Sequence, residues 1–154
     1  MFKPYSIGYL MGIYEQNYRL LLRLVPEMDS IEGGDISDND GSMSLHLLVL
    51  ERDVYTVTLR LTYLFAKEDG SNKASPDLTI RVYHDARMAE VYLLNKHGMV
   101  DKSQFGISRG DSEMTSRCKI NAFLEKWLAY CVASGHCFAS DNLTPDNRFG
   151  INTK

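Results

Sequence analysis

From Val54 to Phe65 the chain alternates. Tyr55, Val57, Leu59, Leu61, Tyr63 and Phe65 are apolar or aromatic, and Thr56, Thr58, Arg60 and Thr62 stand between them. A period of two matches successive side chains pointing to opposite faces of a strand, so this segment predicts a strand with one buried and one wet face. A sheet with one wet face is antiparallel rather than doubly covered and parallel. That requirement organises the rest of the chain.

The run of Leu and Val from Ser42 to Arg52 is separated from this strand by little more than Arg52 and Asp53. Such a gap is too short for a parallel crossover and suits a tight hairpin. After the turn-rich stretch KEDGSNKASPD, Leu78, Ile80 and Val82 alternate with Thr79, Arg81 and Tyr83. A break near His84 to Arg87 precedes Ala89, Val91 and Leu93, alternating with Glu90 and Tyr92. This pattern predicts a second hairpin.

Two segments carry a helical period instead. Ile7, Leu10, Met11, Tyr14, Tyr18, Leu21, Leu22 and Val25 recur at spacings of mostly three and four, with Ser6 as a cap and Pro26 as a stop. Ile120, Phe123, Leu124, Trp127, Leu128 and Cys131 form a second stripe. Thr115 or Ser116 can cap its start, and Gly135 suits a left-handed end. Trp127, in the middle of that stripe, is expected to pack against the sheet. The segment 27–41, with Glu27, Asp29, Glu32, Asp35, Asp38 and Asp40, no basic residue, and Gly33 and Gly34 together, is expected to be a mobile loop.

The expected fold is therefore α+β and two-layered. A four-stranded antiparallel meander carries N- and C-terminal helices packed on one face, in the order α-β-β-β-β-α. A length of 154 residues with 44% hydrophobic residues supports one domain over 1–138, followed by an irregular, partly disordered tail over 139–154.

At this point three segments resemble the YqiB-like family of uncharacterised bacterial proteins: NYRLLLRLVP (17–26), RVYHDARMAEV (81–91) and INAFLEKWLAYCVASG (120–135). The likeness runs from the first helix through Gly135, and the YHDA block before an AEV strand is its most specific part. The acidic loop and the tail differ. The resemblance implies a small cytoplasmic bacterial domain and brings with it no activity, ligand or catalytic residue.

Composition narrows the partners. The net charge of −3 provides no global field for nucleic acid. Strand aromatics such as Tyr83 and Tyr92 could stack bases, but no RNP-type motif accompanies them. No stretch approaches the roughly 18 apolar residues of a membrane span, and the N-terminal segment lacks the pattern of a secretory signal, so neither membrane nor export is expected. Three cysteines, Cys118, Cys131 and Cys137, fit a reducing compartment and hence the cytoplasm.

No cofactor or metal is expected. Signatures of the form GxGxxG, GxxxxGK[ST], GxSxG and HExxH are absent. Aligning Gly41 with the glycine of a calcium loop puts Ile36 and Leu47 where carboxylates are needed. A zinc site from Cys118, Cys131, His136 and Cys137 is opposed by the helix, which rotates Cys131 away from Cys118, and a hydrolase metal site at His84 and Asp85 lacks helical ligands.

The candidate site groups Arg60, Arg81, Tyr83, Glu90 and Tyr92 on the open sheet face, with His84 and Asp85 in the adjoining turn. Arg offers a planar fork to a phosphate or carboxylate, and His with Asp can act as an acid-base pair. The plainer expectation is an Arg81–Glu90 cross-strand ion pair and an Asp85 that fixes its own turn. The leading functional expectation is a non-enzymatic binding or interaction domain that takes a protein partner, a second copy of itself or a small anion. The alternative is an enzyme or regulator acting on a phosphorylated small molecule or nucleotide through Arg81, His84 and Asp85.

Overall fold

The structure, a computed structural model, describes residues 5–38, 43–92 and 105–138. Its elements are α1 (Ile7–Leu24), β1 (Gly34–Asp38), β2 (Met43–Arg52), β3 (Thr56–Ala66), β4 (Asn72–Tyr83), β5 (Met88–Val91) and α2 (Glu113–Ala133), with one 3-10 turn at Met28–Ser30. The strands form one antiparallel sheet in the order β1-β2-β3-β4-β5. The architecture is α+β with five strands rather than four. The expected tail over 139–154 lies outside the described residues.

The additional strand lies in the acidic segment expected to be a loop. GDISD has little strand propensity of its own, and pairing with β2, from Gly34↔Leu48 to Asp38↔Ser44, holds it extended. β4 also starts earlier than its apolar alternation suggests. The chain passes Pro76 where the β3–β4 register shifts between Thr62 and Leu64, and a bulge is where a strand tolerates a residue with no N–H.

Ser6 caps α1, its Oγ accepting from Tyr9 N at 3.2 Å, and the helix ends at Leu24, ahead of Pro26. The cap of α2 is Ser112 rather than Thr115 or Ser116. Its Oγ accepts from Thr115 N at 3.1 Å, so Thr115 supplies the donor and the helix begins a turn earlier than the apolar stripe implies. Gly135, at φ 92°, takes the left-handed conformation after α2.

Both helices contribute to one core with a single face of the sheet. Leu21 and Leu24 from α1, Leu124 and Leu128 from α2, and Leu59 and Ile80 from the sheet are all fully buried in it. Trp127 lies in the same core, its ring centroid 6.5 Å from that of Tyr63 on β3. Truncating one of these leucines to Ala would cost about 2–5 kcal/mol through lost burial and the cavity left behind. No described element packs on the other face of the sheet.

Candidate binding face

Register assigns the uncovered face row by row. Glu51, Thr58, Arg81 and Glu90 lie across from one another, Leu48, Arg60 and Thr79 form the next row, and Ile36, His46, Thr62 and Asp77 the one after. Side chains within a row stand about 5 Å apart, so each can choose partners across the strands.

Arg60 has made that choice. Its Nε donates to Asp77 Oδ1 at 2.9 Å and its Nη2 to Oδ2 at 2.6 Å, a bidentate pair, and Thr62 Oγ1 donates to Oδ1 at 2.9 Å. Hydrogen bonding from Arg60 holds the Asp77 carboxyl below the usual carboxylate range, and the same pairing raises the guanidinium. Asp77 was not among the expected residues. Its signal was there, since the acidic residue nearest the strand is the natural counter-ion for an arginine on the neighbouring strand.

Arg81 and Glu90 are register partners, but the expected ion pair between them does not form. Arg81 Nη2 lies 3.5 Å from Glu51 Oε1, its Nε donates to Thr58 Oγ1 at 3.2 Å, and its guanidinium carbon sits 3.9 Å from the centroid of the Tyr92 ring. Glu90 accepts from the Tyr83 hydroxyl at 2.6 Å and lies 3.9 Å from Arg117 of α2. Burial, then the Glu90 carboxylate, pushes the Tyr83 hydroxyl up to about 12. The β2 bulge between Val49 and Glu51 brings Glu51 opposite Thr58, and no spacing rule reveals that shift.

Beside these neutralised arginines runs a shallow trough of about 620 Å³, lined among others by Ile36, Leu48, Leu64, Arg60 and His46. Ile36 and Leu48 are 55% and 42% exposed. They are apolar at wet-face positions. The β2 run of consecutive leucines conceals Leu48, and Ile36 belongs to the strand that local propensity does not predict.

His84 and Asp85 lie elsewhere. The His84 Nδ1 is 3.2 Å from the buried Tyr18 hydroxyl of α1, and its Nε2 faces Asp29 Oδ1 at 3.7 Å. Asp85 Oδ1 accepts from Ala86 N at 2.9 Å, fixing the turn as expected. Arg81 thus contacts the open face while His84 turns toward α1. Tyr55 falls in the β2–β3 turn, 61% exposed, rather than on a strand.

Two unexpected features lie at the sheet edges. Val49 N donates to Gly33 O at 2.7 Å, and alternation along an antiparallel pair then turns the Ile36 N–H outward, where Asp35 Oδ1 accepts it at 2.8 Å. On the opposite edge Tyr92 N donates to Thr79 O, so the Val91 N–H also points outward, and Asn121 Oδ1 of α2 accepts it at 2.8 Å. An outward donor on each outer strand is therefore occupied by a side chain.

A buried polar cluster joins β1 to the segment after α2. His136, 3% exposed, has its Nδ1 3.0 Å from Ser37 Oγ and its Nε2 3.2 Å from the Tyr63 hydroxyl. Burial lowers the His136 pKa, with the Asp38 carboxylate acting in the opposite sense. Cys131 is fully buried in the main core, Cys118 in a second cluster with Leu10 and Tyr14. Among the described residues no group of three or more His, Cys, Asp or Glu is placed to hold a metal ion, and no helix is long and apolar enough to cross a membrane.

Fold and face together define a two-layer α+β domain whose helices cover one side of its sheet. The chain belongs to the DUF1249 family of proteins of unknown function, whose profile matches residues 20–137. It is 30% identical over 128 residues to the uncharacterized protein YqiB of Escherichia coli K12, a match spanning 82% of this chain and 88% of that protein. The YqiB proteins of E. coli O6:H1 and O157:H7 match to the same extent. No solved structure is significantly similar.

Proposed function

We propose that the chain is a non-enzymatic interaction domain of the bacterial cytoplasm that meets its partner on the open sheet face. The observation that carries this reading is the exposed pair Ile36 and Leu48 on a sheet face that no described element covers. Exposed apolar side chains gathered in one trough are more typical of contact surfaces than of inert ones. The capped donors at Ile36 and Val91 argue against strand addition at the edges, which leaves the face. The cytoplasmic placement draws on the bacterial relatives and on the free thiols of Cys118, Cys131 and Cys137.

The alternative, an enzyme or regulator acting on a phosphorylated small molecule or nucleotide through Arg81, His84 and Asp85, needs those groups around one recess. Arg81 and His84 face different surroundings, and Arg81 and Arg60 already have carboxylate partners, so this reading has less support.

Affinity purification of the tagged chain from its native host, repeated with Leu48→Glu, tests the proposal. A partner held by the natural chain and lost with Leu48→Glu is the expected result. A partner set unchanged by the substitution would move the contact away from this face.

A further inference from the structure

The composition of the open face also bears on what covers it. Strands of five, ten, eleven, twelve and four residues, at about 3.3 Å per residue and about 4.8 Å between strands, give a face of roughly 650 Å². Each partner of a standard-sized interface contributes about 600–1,000 Å². The face is thus large enough for one such contact and too small for a more extensive one.

Its charges constrain the partner further. Arg60 is neutralised by Asp77 at 2.6 Å, and Arg81 lies 3.5 Å from Glu51. Glu90 has the Tyr83 hydroxyl at 2.6 Å and Arg117 at 3.9 Å. Each of these charges is already met within the domain, so the face has little to offer a polyanion or a strongly charged peptide. Its complement is a surface of the same kind, with an apolar strip flanked by internally paired charges.

A second copy of the chain supplies that surface. Resting on the proposal that the open face is the contact surface, we infer that two copies pack sheet on sheet through it. The contact is isologous, with Ile36 and Leu48 on β1 and β2 of each copy supplying its apolar part and the paired arginines of β3 and β4 lying beside them. A two-fold axis sets the patch against itself, so one apolar trough serves both sides. Two sheets packed in this way stand about 10 Å apart, with their inner side chains interdigitating.

Sedimentation velocity on the purified chain from micromolar to sub-millimolar concentration tests the inference, with Leu48→Glu, Ile36→Lys and the off-face control Val54→Lys alongside. Val54 is 84% exposed in the β2–β3 turn. The expected result is a concentration-dependent shift from 17.5 kDa to twice that mass. Leu48→Glu and Ile36→Lys should raise the dissociation constant at least tenfold, and Val54→Lys should leave it unchanged. Circular dichroism establishes that the variants are folded. A natural chain that stays monomeric throughout, or a dimer indifferent to both face substitutions, overturns the inference. A monomeric chain whose cellular partner is lost with Leu48→Glu keeps the face as a contact surface and rules out the second copy.

Discussion

The Asn121 Oδ1 of α2 accepts the Val91 N–H of β5 at 2.8 Å, so a helix side chain ends the hydrogen-bond ladder of the sheet. Asn121 is 1% exposed and its Nδ2 donates to Arg117 O, so both ends of the amide are engaged. Asn121→Leu leaves a buried N–H without a partner and should cost about 1–3 kcal/mol. Urea denaturation gives the stability loss. Amide exchange at Val91 should accelerate well beyond that of neighbouring core amides.

The opposite edge depends on a more exposed device. Asp35→Ala frees the outward Ile36 N–H and should leave stability within about 0.5 kcal/mol of the natural chain, because the half-buried Asp35 makes this bond at the exposed edge of the sheet, where water can replace it. An edge with a free donor is a template for pairing with another chain. Light scattering during prolonged incubation should therefore rise faster for Asp35→Ala than for the natural chain.

Much of this architecture is legible from residue spacing alone. Alternation in β3 and β4 is enough to place Arg60, Arg81 and Tyr83 on one face, and helical stripes identify the core faces of α1 and α2. β1 is not legible, because Gly34 and Asp35 disfavour a strand until β2 pairs with them. Which charge pairs with which also escapes spacing. The β2 bulge decides that Glu51 rather than Glu90 meets Arg81, and a bulge leaves no periodic mark. His84 follows Tyr83 in sequence yet turns to Tyr18, since a turn releases it from the strand's alternation.

Asp77 provides a titration that checks the Arg60 pair. Its carboxyl titrates below the ordinary 3.8, chiefly through hydrogen bonding from Arg60. Arg60→Gln should move it back up, as followed by the side-chain carboxyl resonance. The linked stability is present above the unfolded pKa and is lost as pH falls through the depressed folded value, so the acid sensitivity of the natural chain should be reduced in Arg60→Gln.

His136 titrates in a different window. Burial lowers its folded pKa below the ordinary 6.5, so the unfolded chain takes up the proton first. Its stability contribution is full above about pH 6.5 and declines as pH falls through that value toward the folded pKa. Urea midpoints between about pH 7.5 and 5.5 should fall more steeply for the natural chain than for His136→Gln. Parallel slopes would show that His136 does not titrate differently on folding.

The open sheet face as the contact surface is tested most directly by hydroxyl-radical footprinting of the chain in living cells of its host, compared with the dilute purified chain. Protection in cells is expected at Ile36, Leu48, His46 and Tyr92 on the face, with Val54 and Tyr130, 84% and 55% exposed on other surfaces, labelled equally in both. Equal labelling of the face in both settings, or protection confined to Val54 or Tyr130, would contradict it.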